Sequence, residues 1–297
     1  MQFPQDFTAR ERALLGSRFD EVYAYATPSP ARGVTVNGLR CTPQQFVQGV
    51  DFDAAPSVFC PTAFTVAPEL RPGRHPWHHA GVFYAQEPSA SAPAALLDVQ
   101  PGMRVADICA APGGKTSQLA AALQGQGVLL ATEYAAPRAE ILRQNLERMG
   151  VTNAVITNED TARLAAAMPG QFDRVLVDAP CSGLGDYLSK PDIKYNITPE
   201  GIAALHETQT AILDAACRYV KPGGTLVYST CTLFKEENEQ TVVAFLKAHP
   251  EFSLNGLERM LPEKFAKQTV DGMLTLYPHV SGTDGFFIAR MTRSKRS

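Results

Sequence analysis

DICAAPGGKT, residues 107–116, joins an apolar run that is typical of a buried strand to the start of a helical pattern. A glycine-rich turn at this point lets the backbone approach a ligand closely, with the N-terminus of the helix facing it. The stretch therefore predicts the first strand, the ligand loop and the first helix of a layered α/β domain.

Strands and helices alternate along the chain from about residue 86 onward. The predicted strands are 104–110, 127–133, 153–158, 174–178 and 225–229, and the predicted helices are 116–123, 137–149, 200–220 and 236–248. This alternation predicts a mostly parallel sheet with helices on both faces. Two late strands, 274–277 and 285–291, have no helix between them, so we expect a hairpin that leaves one strand antiparallel. The fold class that this pattern predicts is α/β.

The first 85 residues have a different composition. They combine a helical pattern over 8–26, a short strand at 34–36 and a helix at 43–48. Proline and glycine are frequent over 56–81, which is typical of irregular structure. We therefore expect a small α+β domain with a connector in residues 1–85, followed by a second domain in residues 86–297.

Composition limits the function only loosely. The 297 residues include 45% hydrophobic and 19% charged residues, which is ordinary globular usage. We expect no membrane span, no secretion signal and no metal site, because the sequence has no long apolar stretch and its six cysteines lack ligand spacing. A cytoplasmic protein with free thiols fits these features. The net charge of -3 does not suggest nucleic-acid binding, although basic residues cluster at 71–79.

The glycine loop has two interpretations. Gly114-Lys115-Thr116 matches the end of a phosphate-binding P-loop, which would make the protein an NTPase. However, Cys109 replaces the first glycine of that motif, and Pro112 lacks an N–H group. The other interpretation is a nucleoside site. Glu133 lies at the tip of the second strand, where a carboxylate accepts ribose hydroxyls, and Asp160 follows the third strand, near the expected position of a base.

Two cysteines follow the next two strands. Asp178-Ala179-Pro180-Cys181 ends one apolar run, and Cys231 ends another. In a parallel sheet both thiols would lie in the ligand crevice. Addition of a thiolate to carbon 6 of cytosine makes carbon 5 nucleophilic enough to take a methyl group, and a nearby carboxyl group assists at ring N3. A base must then remove the carbon-5 proton. These residues suit that chemistry, but they leave open which cysteine attacks.

A series of motifs resembles the Nop/Sun family of RNA cytosine-5 methyltransferases. The motifs are GVFYAQEPSASAP (81–93), DICAAPGGKT (107–116), VLVDAPCSGLG (175–185), KPDIKY (190–195), YSTCTLFKEENE (228–239) and GTDGFFIAR (282–290). The resemblance implies a Rossmann-like class I methyltransferase domain that uses S-adenosylmethionine, behind a small RNA-binding domain. It also implies that Cys231 is the nucleophile, that Cys181 assists product release, and that Asp178 faces the cytosine with Lys115 nearby. The cofactor residues it implies are Cys109, Ala110, Ala111, Pro112, Gly113, Gly114, Lys115, Glu133, Arg138, Asp160 and Asp178.

The segment 71–90 resembles the bacterial branch that modifies 16S ribosomal RNA. We therefore expect ribosomal RNA or the small ribosomal subunit as partner, with transfer RNA as the nearest alternative. A ribosome-assembly factor that works mainly by binding RNA is an alternative of another class. The chain stops soon after GTDGFFIAR, so we expect it to lack the C-terminal RNA-binding domain that is common in that branch.

Overall fold

The computed structural model of the protein describes residues 3–23 and 31–295. Two helices come first, α1 (Gln5–Leu15) and α2 (Arg18–Tyr23). We predicted one helix over 8–26. The chain turns instead at Gly16, whose positive φ of 57° breaks a helix, and residues 24–26 lie outside the described residues.

A small antiparallel sheet follows these helices. Its strands are β1 (Arg32–Val36), β2 (Ala54–Pro56), β3 (Ala63–Val66) and β4 (Phe83–Ala85), in the order β2-β3-β1-β4, and its helices are α3 (Pro43–Gly49) and α4 (Pro76–His79). The expected connector at 56–81 is wrong in part, because β3 pairs with both β1 and β2. Phe64 and Val66 of this strand are buried against Val34 and Phe46, so the apolar core orders a segment that its prolines and glycines suggested was irregular.

The large sheet occupies the rest of the chain. Its strands are β5 (Arg104–Asp107), β6 (Val128–Thr132), β7 (Ala154–Thr157), β8 (Phe172–Asp178), β9 (Val220–Thr230), β10 (Phe252–Leu254), β11 (Thr269–Val270), β12 (Met273–Leu276) and β13 (Phe286–Arg293). The order is β11-β12-β13-β9-β8-β5-β6-β7, with β10 paired to β13. Strands β5 to β9 are parallel to one another, and β13 is antiparallel to β9, as the late hairpin predicted. The two-residue β11 runs in the same direction as β13.

Helices cover both faces of this sheet. They are α5 (Ala92–Leu96), α6 (Gly114–Leu123), α7 (Ala136–Met149), α8 (Thr161–Ala167), α9 (Ile193–Asn196), α10 (Pro199–Cys217), α11 (Glu239–Ala248), α12 (Glu263–Ala266) and α13 (Pro278–Ser281). Apolar residues of the strands form a core on each face. The architecture is the α/β fold that the alternation predicted, in the Rossmann-like form that the family resemblance implied.

The chain reverses its direction of travel across the sheet at β5. From β5 it proceeds to β6 and β7 on one side, and then to β8 and β9 on the other. In such a sheet, ligands bind where this reversal leaves a crevice at the carboxyl ends of the strands. The loops after β5, β6, β7, β8 and β9 therefore meet around one site, and these are the loops that carry the residues singled out in the sequence.

The small sheet is fixed to the large domain beside that crevice. Asn37 donates to the carbonyl oxygens of Gly81 (2.8 Å) and Met149 (2.7 Å), which joins the sheet to the end of α7. Asn145 of α7 donates to the Pro112 carbonyl oxygen at 2.8 Å. The glycine loop is thus held from the side on which the small domain lies.

Candidate active site

A cavity of about 810 Å³ opens at the carboxyl ends of the parallel strands. The predicted site residues that line it are Cys109, Ala111, Pro112, Glu133, Arg138, Asp160, Asp178, Cys181 and Cys231. A second cavity of about 190 Å³ lies along the same loop and is lined by Ala110, Gly114 and Lys115, together with Tyr84 and Asp107. Gly113 lines neither of these two cavities. The structure thus brings the two sets of predicted residues, for cofactor and for catalysis, to one crevice.

The conformation of the glycine loop requires a glycine at position 113. Gly113 has a φ of 110°, and a Cβ atom there would lie 3.2 Å from the Leu142 side chain. A residue with a side chain would be strained at this φ and crowded by α7. Arg138 donates to the Ala111 carbonyl oxygen at 2.8 Å, so this predicted residue supports the loop from α7.

Glu133 is a buried carboxylate with spare acceptor capacity. Its side chain is about 5% exposed. One oxygen accepts from the Ala135 N–H at 3.0 Å, and the other has no hydrogen-bond partner among the described residues, with an Arg138 nitrogen 3.6 Å away. Burying an unsatisfied acceptor is costly. A ligand that donates hydroxyl groups, such as a ribose, would satisfy it.

Asp160 caps a helix, which is a role that we did not predict from the sequence. One of its oxygens accepts from the N–H groups of Ala162 (2.8 Å) and Arg163 (3.1 Å), which caps α8. We did not predict α8, a seven-residue helix. The cap fixes the carboxylate in the lining of the large cavity.

Lys115 and Asp178 form an ion pair between the two cavities. The Lys115 Nζ lies 2.8 Å from one Asp178 oxygen, and Ser229 donates to the other oxygen at 2.8 Å. Burial lowers the pKa of Lys115, but the Asp178 carboxylate outweighs that effect, so the pKa is raised and the lysine is charged. The P-loop interpretation needs this lysine for phosphates. In this structure the lysine is directed to Asp178 instead.

The two predicted catalytic thiols are neighbours. The sulfur atoms of Cys181 and Cys231 lie 3.3 Å apart. The hydrogen bond with Cys181, together with burial, raises the pKa of Cys231 well above its ordinary value. Burial and nearby carboxylates also raise the pKa of Cys109, which belongs to the glycine loop. In the free protein Cys231 and Cys109 are therefore thiols, and Cys231 must lose its proton to act as a nucleophile.

Asp107 is a residue of this region that sequence reasoning missed. It ends β5 and is about 1% exposed, with one oxygen accepting from the Thr116 hydroxyl at 2.8 Å. Its other oxygen has no partner among the residues described, and burial raises the pKa of the carboxyl to about 7. An acid at the end of an apolar strand was the available signal, because such a position faces the crevice.

A groove of about 830 Å³ leads from the small sheet to Cys231. Arg32, Arg71 and Arg74 line its outer part, whereas Lys115, Asp178 and Cys231 line its inner end. All three arginines are exposed. Within 3–23 and 31–295, none of them forms an ion pair with a carboxylate. The basic cluster predicted at 71–79 therefore contributes two free cations to this groove.

Solved structures share this architecture. A methyltransferase homolog from Pyrococcus horikoshii is 31% identical and superposes with a TM-score of 0.82, covering 98% of this chain and 95% of that one. NSun6 from the same organism, solved with an S-adenosylmethionine analogue, is 20% identical, with a TM-score of 0.85 and 99% of both chains covered. The fold is that of a class I methyltransferase.

Comparison of the sequence with protein families and relatives identifies the family as well as the fold. The model of the 16S rRNA methyltransferases RsmB/F matches residues 94–292, and that of the N-terminal domain of 16S rRNA methyltransferase RsmF matches residues 3–88. The chain therefore belongs to the RsmB/F family. Ribosomal RNA small subunit methyltransferase F is 37% identical in Cronobacter sakazakii and 36% identical in Serratia proteamaculans, over 96% and 98% of this chain. The chain spans 62% and 63% of the length of those relatives.

Neither a metal cluster nor a membrane-spanning helix is found among the described residues. Within the part of the chain that the structure describes, no three or more His, Cys, Asp or Glu side chains lie together in a way that could hold a metal ion. No helix in the described part of the chain is both long and apolar enough to cross a membrane.

Proposed function

We propose that the protein transfers a methyl group from S-adenosylmethionine to carbon 5 of a cytosine in 16S ribosomal RNA, with Cys231 as the covalent nucleophile. One observation carries the proposal. The paired thiols of Cys181 and Cys231 open into the same cavity as Glu133 and Asp160, so that a nucleoside donor and a reacting base can meet there.

The cavity suits the cofactor. Glu133 offers an unsatisfied carboxylate oxygen for a ribose diol, and Asp160 lies beyond it for the adenine. The loop residues 109–112 bring backbone close to the ligand without side-chain bulk. When bound, S-adenosylmethionine supplies the methyl group from its sulfonium sulfur. The volume of about 810 Å³ leaves space for a base beside the donor.

Attack begins at Cys231. Its sulfur forms a bond to carbon 6 of the cytosine, and its thiol proton passes to ring N3 with Asp178 as the carrier. Lys115 holds that carboxylate at 2.8 Å and supplies a positive charge beside the sulfur that becomes anionic. Carbon 5 then gains electron density and takes the methyl group.

Release requires a base for the carbon-5 proton. Cys181 lies 3.3 Å from Cys231 and, once ionised, takes this proton while the bond between sulfur and carbon 6 breaks. The electron pair of that bond returns to Cys231, and N3 gives up its proton. One proton per turnover leaves to water, which balances the transfer of a methyl cation.

The groove supports RNA as the substrate. Arg32, Arg71 and Arg74 carry unpaired positive charges along a path that ends at Cys231. Local charge of this kind attracts a phosphate backbone even where the net charge of the chain is -3. We place the protein in the cytoplasm, where small ribosomal subunits are assembled.

The test uses a strain that lacks the gene. Small subunits and transfer RNA from this strain are incubated with the protein and labelled S-adenosylmethionine, and modified cytosines are mapped by bisulfite sequencing. We expect label in 16S RNA and none with Cys231→Ala. Label in transfer RNA alone would show that transfer RNA, and not 16S RNA, is the substrate. Full rescue of the strain by Cys231→Ala would favour the assembly-factor alternative.

A further inference from the structure

Glu237 is a fully buried carboxylate between the two cysteine loops. Its exposure is 0%, and no lysine, arginine or histidine of the described chain pairs with it. A buried carboxylate is stable only when donors satisfy it. Its oxygens accept from the Ser182 N–H (2.9 Å), the Ser182 hydroxyl (2.5 Å), the Gln209 amide (2.8 Å) and the Thr232 hydroxyl (3.4 Å).

These donors come from the residues that directly follow the two thiols. Ser182 follows Cys181, and Thr232 follows Cys231. The two hydroxyl groups also contact each other at 2.7 Å. Glu237 therefore connects both loops. It accepts two hydrogen bonds from Ser182 and one from Gln209, which also donates to the Pro180 carbonyl oxygen, so three of the four bonds are on the Cys181 side.

Asn238 makes the matching connection on the Cys231 side. It is fully buried, accepts from the Thr230 hydroxyl at 2.5 Å and donates to the Thr232 carbonyl oxygen at 3.0 Å. The segment that contains Cys231 is thus held on both sides of the nucleophile. The backbone of Glu237 is itself fixed, because its carbonyl oxygen accepts from the Tyr228 hydroxyl at 2.7 Å.

We infer that Glu237 is a positioning residue that holds Cys181 against Cys231, and that Asn238 holds Cys231 for attack. The inference rests on the proposed function, in which Cys181 acts on the adduct formed by Cys231. Because the two sulfur atoms lie only 3.3 Å apart, a small displacement of either loop changes their contact. A displacement of ~1 Å at a reacting group can lower a rate by about 100-fold.

Glu237→Gln keeps the size of the side chain but turns an amide N–H₂ toward groups that donate. We expect the Cys181 loop to move, so release slows and kcat falls by about 100-fold, while KM for S-adenosylmethionine stays unchanged. The covalent RNA adduct should accumulate in denaturing gels. Glu236→Gln is the matched control, because this neighbouring carboxylate pairs with Arg10 of α1 and not with either cysteine loop.

Asn238→Asp should give the opposite pattern. The aspartate still accepts from Thr230 but cannot donate to the Thr232 carbonyl oxygen, so Cys231 loses its support. We expect slower attack and less adduct than in the wild-type protein. Equal adduct levels in the Glu237→Gln and Asn238→Asp variants would overturn the division of roles.

A double-mutant cycle separates positioning from general loss of structure. If Glu237 acts through Cys181, then Glu237→Gln added to Cys181→Ala should not slow release further. An additive loss would contradict the inference. Ser182→Ala removes only one of the bonds to Glu237, so it tests the same link if Glu237→Gln fails to fold, with a smaller accumulation of adduct expected.

A short bis-electrophile that bridges two thiols gives a readout without RNA. We expect it to link Cys181 to Cys231 at least tenfold faster in the wild-type protein and Glu236→Gln than in Glu237→Gln. Equal rates would overturn the inference even if methylation is observed. A slower rate in Glu237→Gln, with no methylation by the wild-type protein, would retain the positioning role and reject the proposed function.

Discussion

The Cys181 and Cys231 sulfur atoms lie 3.3 Å apart because their strands are parallel neighbours in register. Asp178 of β8 pairs with Ser229 of β9, so the chains leave the sheet at the same level. Cys181 follows Asp178 by three residues, and Cys231 follows Ser229 by two. A separation of 50 residues in the chain thus becomes a contact in the site.

Cys181→Ala should trap the reaction after attack. Without the second thiol, the carbon-5 proton has no base beside it, so the adduct between Cys231 and RNA persists. We expect a protein band shifted by RNA in a denaturing gel, and a turnover reduced by about 100-fold or more. If Cys181→Ala turns over normally and shows no shifted band, the release role of Cys181 is wrong.

The pH dependence of Cys231 should change in the same variant. The hydrogen bond with Cys181 is the main cause of the raised pKa of Cys231, so its loss lowers that pKa. At pH 8 the variant then holds more thiolate and reacts faster with iodoacetamide, and its rate-against-pH curve moves to lower pH. Mass spectrometry of the peptide that contains Cys231 gives the rates. An unchanged curve would show that the neighbouring thiol does not control ionisation.

Glu133→Gln should weaken cofactor binding. The carboxylate oxygen that has no partner is the one we assign to a ribose hydroxyl, and a hydrogen bond to a charged group contributes roughly 1.5–3 kcal/mol. Calorimetric titration should therefore show a Kd for S-adenosylmethionine raised by about 10-fold to 100-fold. Glu147→Gln on the exposed face of α7 is the control. Equal affinities would remove Glu133 from the cofactor site.

Arg71→Ala and Arg74→Ala should each weaken RNA binding without affecting the cofactor. A cation that neutralises one phosphate adds about one unit to the slope of log affinity against log salt concentration. We expect each variant to reduce that slope by about one. Arg143→Ala is the control, because this arginine pairs with Glu140 and Glu147 on α7. A slope unchanged in both variants would exclude the groove as the RNA path.

Glu87 should make stability fall as pH rises. Burial raises the pKa of this carboxyl from an ordinary 4.5 to about 8, so between these values the folded protein holds a proton that the unfolded chain has lost. Its contribution is complete below pH 4.5 and is lost as the pH rises through 8. Urea unfolding at pH 6 and pH 9 should show a smaller loss in Glu87→Gln than in the wild-type protein or Glu69→Gln. An equal loss of stability in all three proteins would show that the pKa of Glu87 is not raised in the folded state.

The sequence predicted the parts of the fold that depend on local pattern. Alternating strands and helices predicted the large sheet, and the places of Cys181 and Cys231 after two of its strands predicted that both thiols lie in the ligand crevice. The strand order, with its reversal at β5, was not predicted. It failed at β3, whose order comes from burying Phe64 in a core supplied by distant residues. It also failed at Gly16, where one glycine divides the first helix.

Polar contacts between loops that are distant in the chain could not be predicted either, because local sequence patterns do not show which distant residues meet. Glu237 lies in a charged segment, KEENE, that resembles an exposed surface, yet it is completely buried. Its partners Ser182 and Gln209 lie 55 and 28 residues away. Asp160 was predicted as a cofactor residue, but its capping of α8 depends on a short helix that periodicity did not reveal.

In the proposed reaction, Cys231 bonds to carbon 6 of the cytosine. RNA that carries 5-fluorocytosine tests this step, because the fluorine at carbon 5 cannot leave as a proton and the adduct therefore persists. After incubation with S-adenosylmethionine, protease digestion and mass spectrometry identify the residue that carries the nucleotide. We predict the modification on Cys231 and its absence in Cys231→Ala. A nucleotide attached to Cys181, or no covalent adduct while methylation continues, would contradict the account.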